Sequence, residues 1–261
     1  MARVSLRRPA ALVLLLGAGT ASSWVVAQEA APSAAAPGAS SWGLGGAVIS
    51  TQRPYRGVEG KTRVLPLVTY DGPRLRVSGT TVDWKLATAE PYEFTLRARY
   101  SLLEGYDASD SPALAGMAER KAPLWLGGTA AWRVGGTRAS IELLADATAS
   151  KGVEARVGVE HAFQFGRFQI VPRVASVWHD RKYVDYFYGV NASEAAFNRP
   201  AYDGRATVNM ELGVRAAYAL APRQTLLLNV GVTTLGKGIK DSPLVDRRNL
   251  SMVQVGYLYR F

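Results

Sequence analysis

From Trp42 to the C-terminus, hydrophobic positions recur with a period of two. In 207–220, Val208, Met210, Leu212, Val214, Ala216, Tyr218 and Leu220 alternate with Asn209, Glu211, Gly213, Arg215, Ala217 and Ala219. In 153–165, Val153, Ala155, Val157, Val159, Phe163 and Phe165 oppose Glu154, Arg156, Gly158, Glu160 and Gln164. In 92–102, Tyr92, Phe94, Leu96, Ala98, Tyr100 and Leu102 oppose Glu93, Thr95, Arg97, Arg99 and Ser101. Segments 138–149 and 224–233 alternate in the same way. Helical spacing is convincing nowhere outside a few loops. A soluble strand runs ~5–6 residues, and a strand tilted across a bilayer needs ~9–11. The segments here are of the longer kind. Turn signals such as Asp71-Gly-Pro73, Gly135-Gly-Thr137, Ser150-Lys-Gly152 and Ala221-Pro-Arg223 separate several of them.

This pattern predicts an all-β fold, a transmembrane antiparallel β-barrel with one apolar and one polar face. A soluble sandwich or lipocalin-like barrel also alternates. Here, however, the polar face carries both charges and glycines, as a lumen would. The apolar face places aromatics near strand ends (Tyr92, Tyr100, Phe163, Phe165, Tyr218), as interfacial girdles would.

Strands are expected near 42–50, 63–71, 74–86, 91–103, 122–134, 137–149, 152–165, 167–178, 205–220, 223–234 and 249–261. These give an odd count, whereas single-chain bacterial barrels are normally even. In the preferred version 182–188 is a short twelfth strand, and 104–121 becomes a long periplasmic segment. In the alternative, 42–50 lies outside a ten-stranded barrel and 104–121 is an extracellular loop. The C-terminus is periplasmic in both.

The two ends of the chain add separate signals. Arg3, Arg7 and Arg8 precede a short apolar core at 10–18, and Val25-Val-Ala27 offers a cleavage site. Residues 1–27 therefore read as a Sec signal peptide, cleaved after Ala27 or, as a fallback, after Ala21. Residues 28–41, rich in Ala, Pro and Ser, read as a disordered leader. The barrel domain is 42–261. The last strand ends Val253-Gln-Val-Gly-Tyr257-Leu-Tyr259-Arg-Phe261. Tyr257, Tyr259 and the terminal Phe261 resemble the assembly signal of bacterial outer-membrane barrels, which implies the barrel assembly machinery as a partner.

Composition narrows the picture. The chain has 261 residues, 48% hydrophobic, and no Cys, which excludes a disulfide scaffold and a thiolate metal site. Its formal charge of +10 first suggests nucleic acid. Loss of the signal peptide leaves +7, and export removes intracellular nucleic acid as a partner. Lipid and lipopolysaccharide of the bacterial outer membrane are the expected surroundings.

Particular residues then resemble a known family. Trp42-Gly-Leu-Gly-Gly46, Pro54-Tyr-Arg-Gly57, Val64-Leu-Pro-Leu-Val-Thr-Tyr70 and Ala113-Leu-Ala-Gly-Met-Ala-Glu-Arg120 are similar to the MipA/OmpV family. So are Tyr183-Val-Asp-Tyr-Phe-Tyr-Gly-Val190, Ser193-Glu-Ala195, Arg199-Pro-Ala-Tyr202 and Asp241-Ser-Pro-Leu-Val245. The resemblance runs from Trp42 to the end, and it rests on the order and spacing of these pieces. It implies an outer-membrane barrel. The best-known member is a scaffold named for its interaction with a murein-degrading lytic transglycosylase, which it is thought to bring to a bifunctional peptidoglycan synthase. Other members look like surface antigens, or are linked to adhesion or small-solute passage. The family offers no catalytic residues to carry over.

The leading expectation is a non-catalytic scaffold linking the outer membrane to a murein hydrolase and synthase. The alternatives are a narrow channel for small solutes and a surface adhesin. Two groups of residues are candidates for function. Arg97, Arg99, Glu142, Asp146, Glu154, Arg156, Glu160, Arg173, Glu211 and Arg215 fall on polar strand faces. They would select solutes in a pore or, as preferred here, brace a filled lumen as a charge network. His179, Arg181, Lys182, Tyr183, Tyr186, Phe187 and Tyr188 form an aromatic and basic segment suited to recognition, or else to a packed loop. No enzyme, cofactor or metal is expected. His161 sits on an apolar face, His179 has no triad geometry to offer, and neither G-x-S-x-G nor H-E-x-x-H occurs. Gly43-Leu-Gly-Gly46 lacks dinucleotide spacing.

Overall fold

A computed structural model describes residues 40–261. The expected signal peptide and nearly all of the expected leader lie outside the described residues. The strands are β1 (Ser41–Thr51), β2 (Lys61–Asp71), β3 (Leu75–Ser78), β4 (Thr81–Ala89), β5 (Tyr92–Tyr100), β6 (Leu124–Val134) and β7 (Thr137–Asp146). They continue with β8 (Val153–His161), β9 (Phe163–Phe165), β10 (Phe168–His179), β11 (Thr207–Ala221), β12 (Gln224–Thr234) and β13 (Asn249–Arg260). β8 and β9 both pair with β10 and form one stave, interrupted at Ala162. Neighbours in sequence pair antiparallel, and β13 returns to β1 from Gly43↔Arg260 to Thr51↔Met252. The result is a closed twelve-stranded barrel, which leaves hydrocarbon no sheet edge at the closing seam.

The even count arises differently from the expectation. Residues 182–188 are not a strand; they lie in a helix, α1 (Arg181–Tyr188). The extra stave comes from 74–86, which divides into β3 and β4. Gly79 stands in the left-handed region (φ 56°) and makes the turn that separates them. Nor does 42–50 lie outside the barrel, since β1 pairs on both sides.

The two ends of the barrel differ. Turns 72–74, 90–91, 135–136, 166–167 and 222–223 lie at the end that holds the start of β1 and the end of β13. Segments 52–60, 101–123, 147–152, 180–206 and 235–248 lie at the other. Segment 104–121 is therefore opposite the termini, which corrects its placement in the preferred twelve-strand reading. Outer-membrane barrels have short periplasmic turns and longer extracellular loops, so the long segments face outward.

The alternation sorts the side chains as the period requires. Leu96, Ile141, Leu143, Leu212 and Val255 stand exposed on the outer wall, while Arg97, Glu142, Leu144, Glu211 and Gln254 beside them are buried. Aromatics crowd the turn end. Trp42 packs on Tyr70 (4.7 Å), Phe168 on Tyr218 (5.8 Å) and Tyr259 on Phe261 (5.2 Å), with Tyr92, Trp132 and Tyr257 also outward. They make a girdle at the level where amphipathic rings settle. The Tyr257, Tyr259 and Phe261 side chains belong to it.

Candidate functional site: a braced lumen beneath an apolar cap

Inward charges meet in a chain of ion pairs across the lumen. Arg97 holds Asp83 with two bonds (2.7 and 2.8 Å) and also reaches Glu142. Glu142 accepts from Arg99 at 3.0 Å, and Arg99 donates to Glu154 at 3.0 Å. Glu154 ends the chain against the His179 ring, whose Nε2 is 3.2 Å away. One line of charge thus crosses β4, β5, β7, β8 and β10. Arg156 pairs with Glu211 through two bonds (2.8 and 3.0 Å) and Arg215 with Glu160 (2.8 Å). Toward the turn end Glu93 gathers Arg76 (3.2 Å), Arg133 (3.4 Å) and Arg138 (3.9 Å). Small residues make the room: a Cβ on Gly213 would lie 2.9 Å from Nε of Arg173.

Of the ten residues offered for a lumen network, all are on the inner face. Eight enter these pairs. Arg173 instead donates to Asn229 (2.7 Å). Asp146 departs from the expectation of a place in the network. It accepts from the Thr148 and Ala149 N–H groups (2.9 and 3.0 Å) and the Ser150 hydroxyl (2.7 Å), so it shapes the 147–152 turn. Arg76, Asp83, Glu93, Arg133 and Arg138 are further members. The alternation that places Arg97 on the inner face also marks Asp83 and Glu93, whereas Arg76 sits on a strand too short to show a period.

Above the charges sits an apolar core of the kind found in soluble proteins. Tyr55, Val58, Tyr106, Leu114, Met117, Trp125, Leu144, Tyr183, Val184, Phe187, Tyr188, Ile239 and Leu244 are among its buried members. Four long segments supply most of it, so together they close the mouth as a cap. α1 is its centre. Asp180 caps the helix by accepting from Tyr183 N–H (2.9 Å). Residues 183, 184, 187 and 188 then share the buried face. A Cβ on Gly204 would come within 2.2 Å of Asp185 N, so only glycine allows this close approach to the helix.

Buried arginines stitch the segments. Arg120 pairs with Glu194 (3.0 Å) and donates to Tyr186 O (2.6 Å). Arg199 donates to Ala113 O (2.8 Å) and Ala115 O (3.0 Å). Cap and network join where His179 stacks on Tyr183 (4.3 Å) and Arg99 lies over Trp125 (5.6 Å). Burial pushes the Tyr106 hydroxyl up to about 12 and also raises those of Tyr55 and Tyr188.

The segment offered for recognition is therefore mostly interior. His179, Tyr183, Phe187 and Tyr188 are buried, Tyr186 is half-buried, and only Arg181 and Lys182 stand exposed. The aromatics pack because a helix brings them to one face, which corrects the reading of them as a surface. His161 lies on the outer wall, bonded to Thr137 (2.8 Å) and packed on Phe163. A cavity lined by Arg53, Tyr55, Glu104, Tyr183 and Tyr188 measures about 10 Å³, the space of one water.

A closed barrel with a lipid-facing apolar wall, an aromatic girdle and a charged lumen defines an outer-membrane β-barrel protein. The chain belongs to the MipA family: the family described as MltA-interacting protein MipA matches residues 44–261. It is 28% identical to the outer membrane protein YiaT of Escherichia coli (strain K12), over 91% of this chain and 98% of that one. It is 29% identical to the outer membrane protein OmpV of Vibrio cholerae, over 60% of this chain and 61% of that one. To the MltA-interacting protein of E. coli it is 22% identical, over 84% and 89%. Among solved structures, the NanC porin aligns with a TM-score of 0.45 and 8% identity, over 82% of this chain and 98% of that one.

Proposed function

We propose that this protein is a non-catalytic scaffold which holds a murein hydrolase, and through it a murein synthase, at the outer membrane. The observation that carries this reading is the interior. The lumen side chains are spent on one another, and the mouth is shut by a packed core. A molecule built this way offers surfaces rather than a passage. The name and likeness of the MltA-interacting protein support the same partner class. The face toward peptidoglycan consists of short turns, and three of them carry an exposed arginine: Arg74, Arg167 and Arg223. Those arginines suit an acidic surface on a periplasmic enzyme.

The test is a pull-down from periplasmic extract with the folded barrel as bait. A lytic transglycosylase should be recovered, and changing all three arginines to Glu should reduce the yield. Recovery of no murein enzyme would overturn the proposal. The channel reading makes the opposite prediction in a planar bilayer, where a braced and capped barrel should stay silent.

One observation favours the adhesin reading. Phe197 is fully exposed at the tip of the turn closed by Ala196 and Arg199. Loss of cell adherence in Phe197→Asp would support that role, and unchanged adherence would remove it.

A further inference from the structure

The wall is not hydrogen-bonded over its whole height. β2 pairs with β1 along its full length, from Ser41↔Asp71 to Thr51↔Lys61. It pairs with β3 at only three positions, Thr69↔Ser78, Tyr70↔Val77 and Asp71↔Arg76. One more bond, from Gly79 N–H to Val68 O (3.0 Å), tops that pairing. Beyond Val68, toward the loop end, no described backbone group pairs with this edge of β2. In an antiparallel strand, alternate residues turn their backbone groups to opposite neighbours. The Val68 carbonyl fixes the parity, so Thr62, Val64 and Pro66 face the open side. Pro66 has no N–H to leave unmet, as suits an edge. The donors left there are the amides of Thr62 and Val64.

Side chains, rather than a backbone ladder, close this seam. Lys61 bonds Asp110 (2.9 Å), and Leu103 packs with Ile49, Met252 and Leu65. Arg63 reaches Leu102 O only at 3.5 Å. Exposure marks the opening. Arg63 shares the inward parity of buried Leu67, yet it is exposed. Val64 is 78% exposed, against 46% for its partner Val48 on β1.

The seam lies in the loop-end half of the wall, the half in the outer leaflet. Hydrocarbon alone cannot satisfy an open edge there. Lys61 is neutralised by Asp110, but Arg63 has no ion-pair partner among the described residues, and exposed Arg56 lies in the adjoining loop. A guanidinium beside two free amides suits an anion with several acceptor oxygens. The outward strip of Val48, Val64 and Pro66 suits acyl chains.

The geometry points to a binding site for a phosphorylated acyl lipid of the outer leaflet, with its phosphate on Arg63 and the Thr62 and Val64 amides and its chains along Val64 and Pro66. A partner strand would also use this edge, but it has no need of Arg63, and Pro66 would break its ladder.

The test uses the full folded barrel in mild detergent, titrated with diphosphoryl lipid A and read by native mass spectrometry. One lipid per monomer is expected to be retained. Arg63→Glu and Val64→Pro should each weaken retention roughly tenfold. The Val64 N–H faces the gap, so Val64→Pro costs no wall hydrogen bond. Heat-modifiable migration checks that both variants fold, and Arg63→Glu, an exposed change, decides alone if the proline variant does not. Dephosphorylated lipid should be held more weakly, and equal concentrations of inorganic phosphate should not displace lipid A. Unchanged retention in Arg63→Glu would overturn the site. So would displacement by free phosphate, or a dimer that forms in place of the lipid complex.

Discussion

The cap and the lumen are both buried, yet they are held by opposite means. The cap removes apolar surface from water, at roughly 25 cal/mol per Å². The lumen buries charges whose desolvation nearly cancels their attraction. Position explains the division. Alternation sends most apolar positions of the wall to lipid, so the inner face is mainly polar residues and glycines, with a smaller apolar patch of Ala47, Leu67, Ala217, Leu227 and Leu258. The long segments at the mouth escape that alternation and can supply Leu114, Phe187 and Ile239 to an ordinary core. In this barrel, therefore, the larger apolar core is found where the chain leaves the sheet.

The largest effect should come from unbalancing the lumen. Glu142→Leu takes one partner from both Arg97 and Arg99 and should cost about 3–5 kcal/mol, measured by urea unfolding in liposomes. Replacing Arg156 with Met together with Glu211 with Leu removes a whole pair and should be near neutral. An equal loss in both would show that the charges stabilise the barrel outright, which would erase the difference between lumen and cap.

Phe187→Ala tests the cap and should cost about 3–5 kcal/mol. If the cap is a separate cooperative unit, hydrogen exchange should rise in 101–123 and 180–206 but not in β7, β11 or β13. Equal loss of protection in the wall would merge the two regions.

A smaller effect follows from Glu194. Burial alone would raise its carboxyl, but the Ala118 and Asn191 N–H groups and the Arg120 guanidinium outweigh burial and hold it below the usual range. A carboxyl depressed in the folded state contributes stability above its unfolded value, and that stability is lost as pH falls through the folded one. Below about pH 4 the link between 101–123 and 180–206 should loosen, seen as proteolysis confined to those segments. Glu194→Gln should flatten the dependence. The smallest effect is Asp180→Ala, about 1 kcal/mol through loss of the α1 cap, read as faster exchange at Tyr183 and Val184.

Most of the wall could be read in the sequence, because period two over long segments has few other causes. The inner position of Glu154, Arg156, Glu211 and Arg215 follows from the same parity. Their pairing does not, because it depends on register between strands far apart in sequence, such as Arg156 with Glu211. α1 was masked because Tyr183, Tyr186, Phe187 and Tyr188 are residues that strands also favour. Asp180 as a cap, with 183, 184, 187 and 188 on one helical face, is the signal that would have revealed it. β3 was hidden for a different reason: four residues are too few to show a period.

The closing seam between β1 and β13 joins the earliest and latest parts of the barrel, down to the bond from Phe261 N–H to Trp42 O (3.0 Å). This contact has the greatest sequence separation in the wall, so it carries the largest loop-closure entropy. Until it forms, the molecule has two free edges open to pairing with another chain. Assembly is thus a race between self-closure and capture. The adjacency of the ends also means that a short linker could join them, with a new opening cut at 147–152, without crossing the barrel.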